Sequence, residues 1–427
     1  MAGTDVLALL KERDMLYQAT DEAATRVAFE SGRVSCYVGF DPTARSLHVG
    51  SLLPILVLAH VQRAGHRAVA LVGGATGMVG DPSGRSSERS LLSDADVRGN
   101  AEAIRAQLAR FLRFDGDNPA AMVNNADWIG PMSVIDWLRD VGKHFTVNSM
   151  LAKESVRSRL EDREHGISYT EFSYMLMQAY DFYWLFEHEG CLVQGGGSDQ
   201  WGNITAGIDL IRRKTGKEAH GFTWPLVTSS AGEKFGKSAG NAVWLDAGLT
   251  TPYQFYQYFV RAEDVDVGKY LKFFTFLPVA EIASIMDEHA RDPGKRHAQR
   301  VLAREVTRIV HGEAAAAEAE SASAALFTRG GGGAAEKLKT LGDTVPTKPI
   351  SRAGWAEGPV SAVNLVAMAG VVASKGEARR LIDQKGLSIN EEVVTSPQHP
   401  VGLDRFIDGV LLVRTGKNNY TRIVLRD

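Results

Sequence analysis

Between Arg33 and Val72 the sequence changes element type in an order that few architectures accept. RVSCYVGF, Arg33 to Phe40, has strand character; DPTARS, Asp41 to Ser46, is turn chemistry; Leu47 to Arg63 is an apolar-rich helix that contains Pro54 and is closed by Gly65. A second strand, Arg67 to Val72, then runs into glycines. Strand, helix, strand over this span is a βαβ unit, the crossover by which parallel strands of a doubly wound sheet are joined. A further short strand, Cys191 to Gln194, again ends in glycines, Gly195 to Gly197. Flexible backbone at the carboxyl end of a strand is where open α/β sheets bind ligands.

The rest of the chain changes character twice. Residues 1–30 read as a helical lead-in, with Val6, Leu7, Leu10, Leu16 and Val27 spaced at a weak helical period. From Thr250 the pattern is helical and aromatic-rich, and Asp292-Pro293 predicts a new helix start. The alanine-rich stretch Glu313 to Phe327 precedes Gly330 to Gly333, which reads as a hinge or linker. Short apolar strands follow at Leu387 to Ile389, Val410 to Val413 and Arg422 to Leu425. The expected domains are therefore a catalytic α/β domain at 1–245, an α-helical domain at 246–329, a linker at 330–358 and a small α+β unit at 359–427.

Composition narrows the function classes. Hydrophobic residues at 44% and charged ones at 23% are those of a folding, soluble chain. The longest apolar run, Leu52 to Ala59, falls far short of the roughly 20 residues that span a bilayer. Two cysteines, Cys36 and Cys191, make no disulfide framework, and no CxxC or HExxH spacing offers a metal cage. A cytoplasmic protein with no membrane partner and no structural metal is expected. A net charge of -3 excludes a wholesale basic nucleic-acid binder, but residues 359–427 hold nine Lys/Arg against seven Asp/Glu, which allows a local one.

Two short motifs carry phosphate chemistry. His48-Val49-Gly50-Ser51 opens a helix, where free N–H groups and the positive dipole end suit a polyphosphate. Lys234-Phe235-Gly236-Lys237-Ser238 sets two lysines three apart around a glycine on a loop, able to close on a triphosphate as pyrophosphate leaves. Either alone reads as a surface histidine or a solvated loop. In this order they resemble the HIGH and KMSKS signatures of class I aminoacyl-tRNA synthetases. Tyr37 to Ala44 (YVGFDPTA), Gly73 to Gly84 (GGATGMVGDPSG), Glu171 to Asp181 (EFSYMLMQAYD) and Gly196 to Asn203 (GGSDQWGN) narrow the resemblance to the bacterial tyrosyl-tRNA synthetases, over essentially the whole chain.

Tyr174, Gln178 and Asp181 fall at i, i+4 and i+7, one face of a helix, so all three can line one pocket. The resemblance implies that Tyr37 and Asp181 bond the substrate phenol and that Tyr174, Gln178 and Asp81 hold its ammonium group, with Thr76, Asn125 and Gln200 as further pocket residues. For ATP it implies Asp41, Thr43, His48, Lys234, Lys237 and Ser238 around the phosphates, and Gly39, Gly50, Gly197 and Asp199 near the nucleoside. Two positions depart from the family pattern: Ser51 stands where histidine is common and can still donate, whereas Val38 stands where some relatives have a ribose-reaching cysteine and cannot.

Two segments face RNA in this reading. Arg296, Arg300, Arg304 and Arg308 recur every four residues as a basic stripe, with a solvated face as the equal alternative. The C-terminal unit resembles an S4-type RNA-binding domain, with Lys375, Arg379, Arg380 and Lys385, and with Arg414, Lys417, Asn418 and Asn419 in a later loop. Arg85 and Arg89 are candidates for a phosphate- or tRNA-facing loop. The resemblance implies a Rossmann-like catalytic domain, tyrosine, tRNA(Tyr) and ATP with Mg2+ as partners, and a homodimer. An RNA-binding protein on a degenerate synthetase scaffold, or a different nucleotidyltransferase, would leave the tyrosine pocket unexplained or unused.

Overall fold

The computed structural model describes residues 5–83, 92–153, 156–157, 160, 166–228, 235–238, 241–327, 333–341, 344–355, 358–416 and 419–426. They form two compact units: residues 1–246 with 262–302, and residues 247–261 with 303–427. This division differs from the expected domains, because the helical stretch at 246–329 is shared between the two.

The first unit is built on a six-stranded sheet of β1 (Gln18–Ala19), β2 (Ser35–Phe40), β3 (Arg67–Val72), β4 (Ala121–Asn124), β5 (Cys191–Gly197) and β6 (His220–Trp224), in the order β1-β6-β5-β2-β3-β4. Strands β2 to β6 pair in parallel, and only the two-residue β1 runs antiparallel, against β6. The helical lead-in is thus split: Val6–Glu12 and Glu22–Glu30 are helices, each capped by an aspartate, with β1 between them. Central strands read as continuous apolar runs because both faces are covered, and Val69, Ala70, Leu71 and Val72 are all buried.

Glycines 195–197 belong to β5 itself and not to a turn after it. They are paired with Phe222, Thr223 and Trp224 of β6, and a side chain at Gly195 would meet the Trp224 and Phe222 rings within about 3 Å. Close approach, not turn flexibility, explains them. The parallel strands place their carboxyl ends, Phe40, Val72, Asn124, Gly197 and Trp224, along one edge of the sheet.

The second unit centres on a five-stranded sheet in which Leu387–Ile389, Val410–Thr415 and Asn419–Arg426 pair antiparallel while Thr347–Ser351 joins the last strand in parallel. The expected linker at 330–358 is therefore partly structured: Ala334–Leu341 is a helix, and Leu341 and Val345 pack with Tyr253, Leu326, Leu412 and Tyr420. Ile350 and Trp355 belong to the C-terminal core, and the Trp355 indole donates to the Val401 carbonyl at 2.8 Å. Apolar residues interleaved with lysines and prolines hid this element, because its burial comes from residues far along the chain. Among the described residues no helix is long and apolar enough to cross a membrane.

Candidate functional site

A cavity of about 310 Å3 opens at the carboxyl edge of the first unit's sheet. Three of the parallel strands and the turns after them supply most of its polar lining. Strand β2 delivers Tyr37, Val38, Gly39 and then Asp41; the turn after β3 delivers Thr76 and Asp81; β5 delivers Gln194 to Gly197 and then Asp199 and Gln200.

The helix Tyr169–Glu189 supplies Tyr174, Gln178 and Asp181 from one face. Ser168 caps its first turn by accepting from the Glu171 N–H, and Gly190 in the left-handed region ends it.

Asp181 is only 2% exposed, and both its oxygens are engaged: Asn125 Nδ2 donates at 3.0 Å and Trp128 Nε1 at 2.8 Å. Burial pushes its carboxyl up to about 8, against these two stabilising bonds. The Tyr37 hydroxyl, 1% exposed and lining the same cavity, finds no hydrogen-bond partner among the described residues. Its own proton is held more tightly than usual, first by burial and then by Asp181. A buried donor–acceptor without a partner is costly unless something else supplies one.

Asp41 sits deeper in this network than a phosphate contact requires. The Tyr174 hydroxyl donates to Asp41 Oδ2 at 2.9 Å and Thr76 Oγ1 to Asp41 Oδ1 at 2.8 Å, while Asn125 Nδ2 also reaches Thr76 Oγ1 at 3.1 Å. A side chain at Gly73 would collide with both Asp41 and Thr76, which is why that turn is glycine. On the other wall Gln200 Nε2 donates to Asp81 Oδ2 at 2.7 Å, and Asn203 Nδ2 donates to Gln178 and Gln200 at 3.1 Å each. Asp199 lines the cavity with its proton affinity raised by burial and by Asp81.

The helix start at Val49 is organised by its own histidine. His48 Nδ1 accepts from the Gly50 N–H at 3.0 Å, so a neutral ring carries its proton on Nε2. The ring is exposed on one side and crowded on the other, and that desolvation lowers its proton affinity, which favours the neutral form. A side chain at Gly50 would strike this ring.

The His48 and Gly236 segments, almost 190 residues apart in the chain, meet here. Val49 N donates to Val243 O at 2.8 Å, Leu245 N to Leu47 O at 2.9 Å and Val243 N to Gly236 O at 2.9 Å. Gly236 has φ +98, and a side chain there would press on Val49.

Twelve of the sequence-predicted residues thus line one cavity: Tyr37, Gly39, Asp41, Gly50, Thr76, Asp81, Tyr174, Gln178, Asp181, Gly197, Asp199 and Gln200. Asn125 stands behind them, fully buried, and Thr43, His48 and Ser51 lie outside the lining. Ser51 begins the Leu52–Arg63 helix, and Val38 is a buried wall residue. Lys234, Arg85, Arg89, Lys417 and Asn418 fall outside the described residues. Sequence reasoning missed Trp128 and Asn203 as individual residues. Trp128 follows a short strand by four positions, a signal too common to single out.

In the second unit, Ser374 caps the helix Lys375–Asp383, on which Lys375, Arg379 and Arg380 are all exposed. Lys385 follows at a left-handed turn, and Gly416 N donates to Gly386 O at 2.7 Å, tying that turn to the end of the strand Val410–Thr415. Arg414 is on a strand, not in a loop, and donates to Ser388 Oγ at 2.9 Å. The four-arginine stripe is broken. Arg296 has φ +52 and precedes the helix His297–His311, donating to the Ala262 carbonyl at 2.7 Å, while Arg304 and Arg308 are paired with Glu313, Glu320 and Glu305.

Residues 30–328 match the family model of the class I tRNA synthetases (W and Y), and residues 363–407 match that of the S4 domain. The chain is 51% identical to a tyrosine–tRNA ligase of Roseiflexus castenholzii over 99% of this chain and 100% of that protein. It is 48% identical to one of Bacillus caldotenax over 97% and 98%. Among solved structures, a C-terminally truncated mitochondrial tyrosyl-tRNA synthetase of Aspergillus nidulans superposes with a TM-score of 0.70 at 35% identity, covering 76% of this chain and 94% of the other.

Proposed function

The chain belongs to the class I tRNA synthetases of the tryptophan and tyrosine group, and on that premise we propose how its residues divide the work of a tyrosine–tRNA ligase. Its activity is to join tyrosine to tRNA through tyrosyl-adenylate. A tyrosine carboxylate oxygen attacks the α-phosphorus of ATP, the bond to the bridging oxygen breaks, and pyrophosphate leaves. A ribose hydroxyl of tRNA then takes the acyl group and AMP departs. Magnesium enters with ATP as part of the substrate complex.

The observation that carries the residue assignment is the unpartnered Tyr37 hydroxyl beside the prebonded Asp181 carboxyl. A phenol hydroxyl between them completes both: it donates to an Asp181 carboxyl oxygen and accepts from Tyr37. Asp81, Tyr174 and Gln178 supply the acceptors that suit the substrate ammonium group. His48, with its proton on Nε2, donates to an ATP phosphate oxygen, and Lys234 and Lys237 neutralise the leaving pyrophosphate. Because both reactants are held and no protein atom is acylated, the rate gain comes from alignment and from charge stabilisation at the transition state.

The helix Val134–Asp140 exposes Val134, Ile135 and Leu138, an apolar face that supports a homodimer. The exposed Lys375, Arg379, Arg380 and Lys385 support tRNA contact by the second unit, and such phosphate contacts make affinity fall steeply with salt. Pyrophosphate exchange is the test of the whole reading. Exchange that requires tyrosine is expected; exchange supported equally by another amino acid, or none, rejects it.

A further inference from the structure

The loop that carries the two lysines is fastened to the body of the first unit through the residue between them. The Phe235 ring stacks on Phe274, with centroids 5.0 Å apart and planes 11° apart, and meets Tyr270 at 5.0 Å and 57°. Tyr270 and Phe274 lie four apart on the helix Asp264–Phe274, so one helix face forms the seat. Phe274 is fully buried and Tyr270 nearly so, and the two rings brace each other at 5.7 Å. On its other side the same loop touches the histidine turn, since Gly236 accommodates Val49 only by lacking a side chain. One ring therefore registers the lysine loop between the helix behind it and the phosphate-binding turn in front.

That helix is itself held at its carboxyl end. Arg13, 3% exposed, donates Nε to the Lys272 carbonyl at 3.0 Å, Nη1 to the Leu277 carbonyl at 2.9 Å and Nη2 to the Thr275 carbonyl. Lys272 adds an ion pair to Asp14 at 2.7 Å. A cation on the last carbonyls of a helix satisfies acceptors that have no intrahelical donor and opposes the negative dipole end.

We propose that the Tyr270–Phe274 face is a seat for Phe235 that fixes the lysine loop in the geometry needed for pyrophosphate departure, and that Arg13 is a positioning residue that holds this seat. The proposal rests on the reading that Lys234 and Lys237 act on the ATP phosphates. None of these groups touches the tyrosine cavity: Phe235, Tyr270, Phe274 and Arg13 are absent from its lining. Their loss should thus appear in the rate of adenylate formation and leave tyrosine affinity alone.

The test is a double-mutant cycle on adenylate formation, measured in single turnover, with tyrosine affinity measured at equilibrium. Phe235→Leu and Phe274→Leu should each slow the step by about three- to tenfold, the range expected from losing one aromatic pair. The double variant should be little slower than either single one, because each change already removes the same contact. Phe235→Tyr, which keeps the stacking ring, should restore most of the rate. Arg13→Lys should give a smaller loss, again in rate and not in tyrosine affinity. Additive losses, or a parallel fall in tyrosine affinity, would overturn the seat. If Phe274→Leu does not fold, the contrast between Phe235→Leu and Phe235→Tyr decides alone, and equal rates overturn the proposal. Lys237→Ala serves as the control. If it leaves the rate unchanged, the assignment of the loop to phosphate chemistry has failed; if it slows the rate while the cycle is additive, only the seat has failed.

Discussion

On the Asp181 side of the cavity the polar groups are bonded before any substrate arrives: Asn125 and Trp128 hold Asp181, while Tyr174 and Thr76 hold Asp41. On the His48 side, one bond from Gly50 orients the imidazole, and backbone pairing through Val243 joins two distant segments. The difference follows from what each side must do. Recognition of a small hydroxyl needs donors and acceptors that cannot relax around the wrong ligand, so it is buried and prearranged. Charge that develops only as pyrophosphate leaves is better met, on the proposed reading, by cations whose contacts strengthen in the transition state.

The largest expected effect separates the two sides by rate. Lys237→Ala and His48→Ala should each slow adenylate formation by about 10²–10³-fold, the cost of removing one charge-stabilising donor, while tyrosine affinity stays within about twofold. Single-turnover rates and equilibrium dialysis on the same preparations decide this. A matching loss of tyrosine affinity would erase the contrast between the sides.

The next effect tests the burial of Asp181. In the fold its carboxyl keeps its proton to about pH 8, whereas an ordinary one releases it near 3.8. The folded state therefore holds the extra proton between these values, and its stability falls as pH rises through that window. The decline should be several kcal/mol at most, since each unit of the shift is worth about 1.4 kcal/mol. Urea midpoints from pH 4 to pH 9 should show a flatter slope in Asp181→Asn than in the parent chain. An unchanged slope would mean that Asp181 titrates as a solvated carboxyl.

A smaller effect sharpens the recognition side. Tyr37→Phe should lower kcat/KM for tyrosine by about tenfold, the worth of one buried hydrogen bond, with little change for phenylalanine. Tyrosyl-tRNA synthetases are the standard illustration of discrimination by a hydroxyl-binding site, so the existence of the asymmetry is general to them. What exchange rates for the two amino acids add is whether Tyr37 carries part of it here. Undiminished preference would remove Tyr37 from the phenol contact.

Much of this site was legible before any coordinates. Tyr174, Gln178 and Asp181 declare a shared helix face by spacing alone, and that face does line the cavity. Strands Arg67–Val72 and Cys191–Gly197 were marked by apolar runs, although the second continues through glycines that composition assigns to a turn. The arginine stripe shows the opposite failure. Its four-residue period assumes that Arg296 opens the helix, whereas the left-handed Arg296 precedes His297–His311, and the glutamates paired with Arg304 and Arg308 fit the solvated-face alternative.

The sequence by itself determined most element types and the parallel sheet, because these depend on local propensity and periodicity, and the resemblance carried by its motifs supplied the candidate side chains. Only the tertiary structure decided which of those side chains meet. Trp128 became a partner of Asp181, the Lys237 loop was stitched to the His48 turn through Val243, and Thr347–Ser351 was drawn from an expected linker into a sheet. The reason is physical: a hydrogen bond or stacked ring pair is worth little until burial removes competing water, and burial is a property of the assembled unit, to which residues more than a hundred positions apart contribute equally.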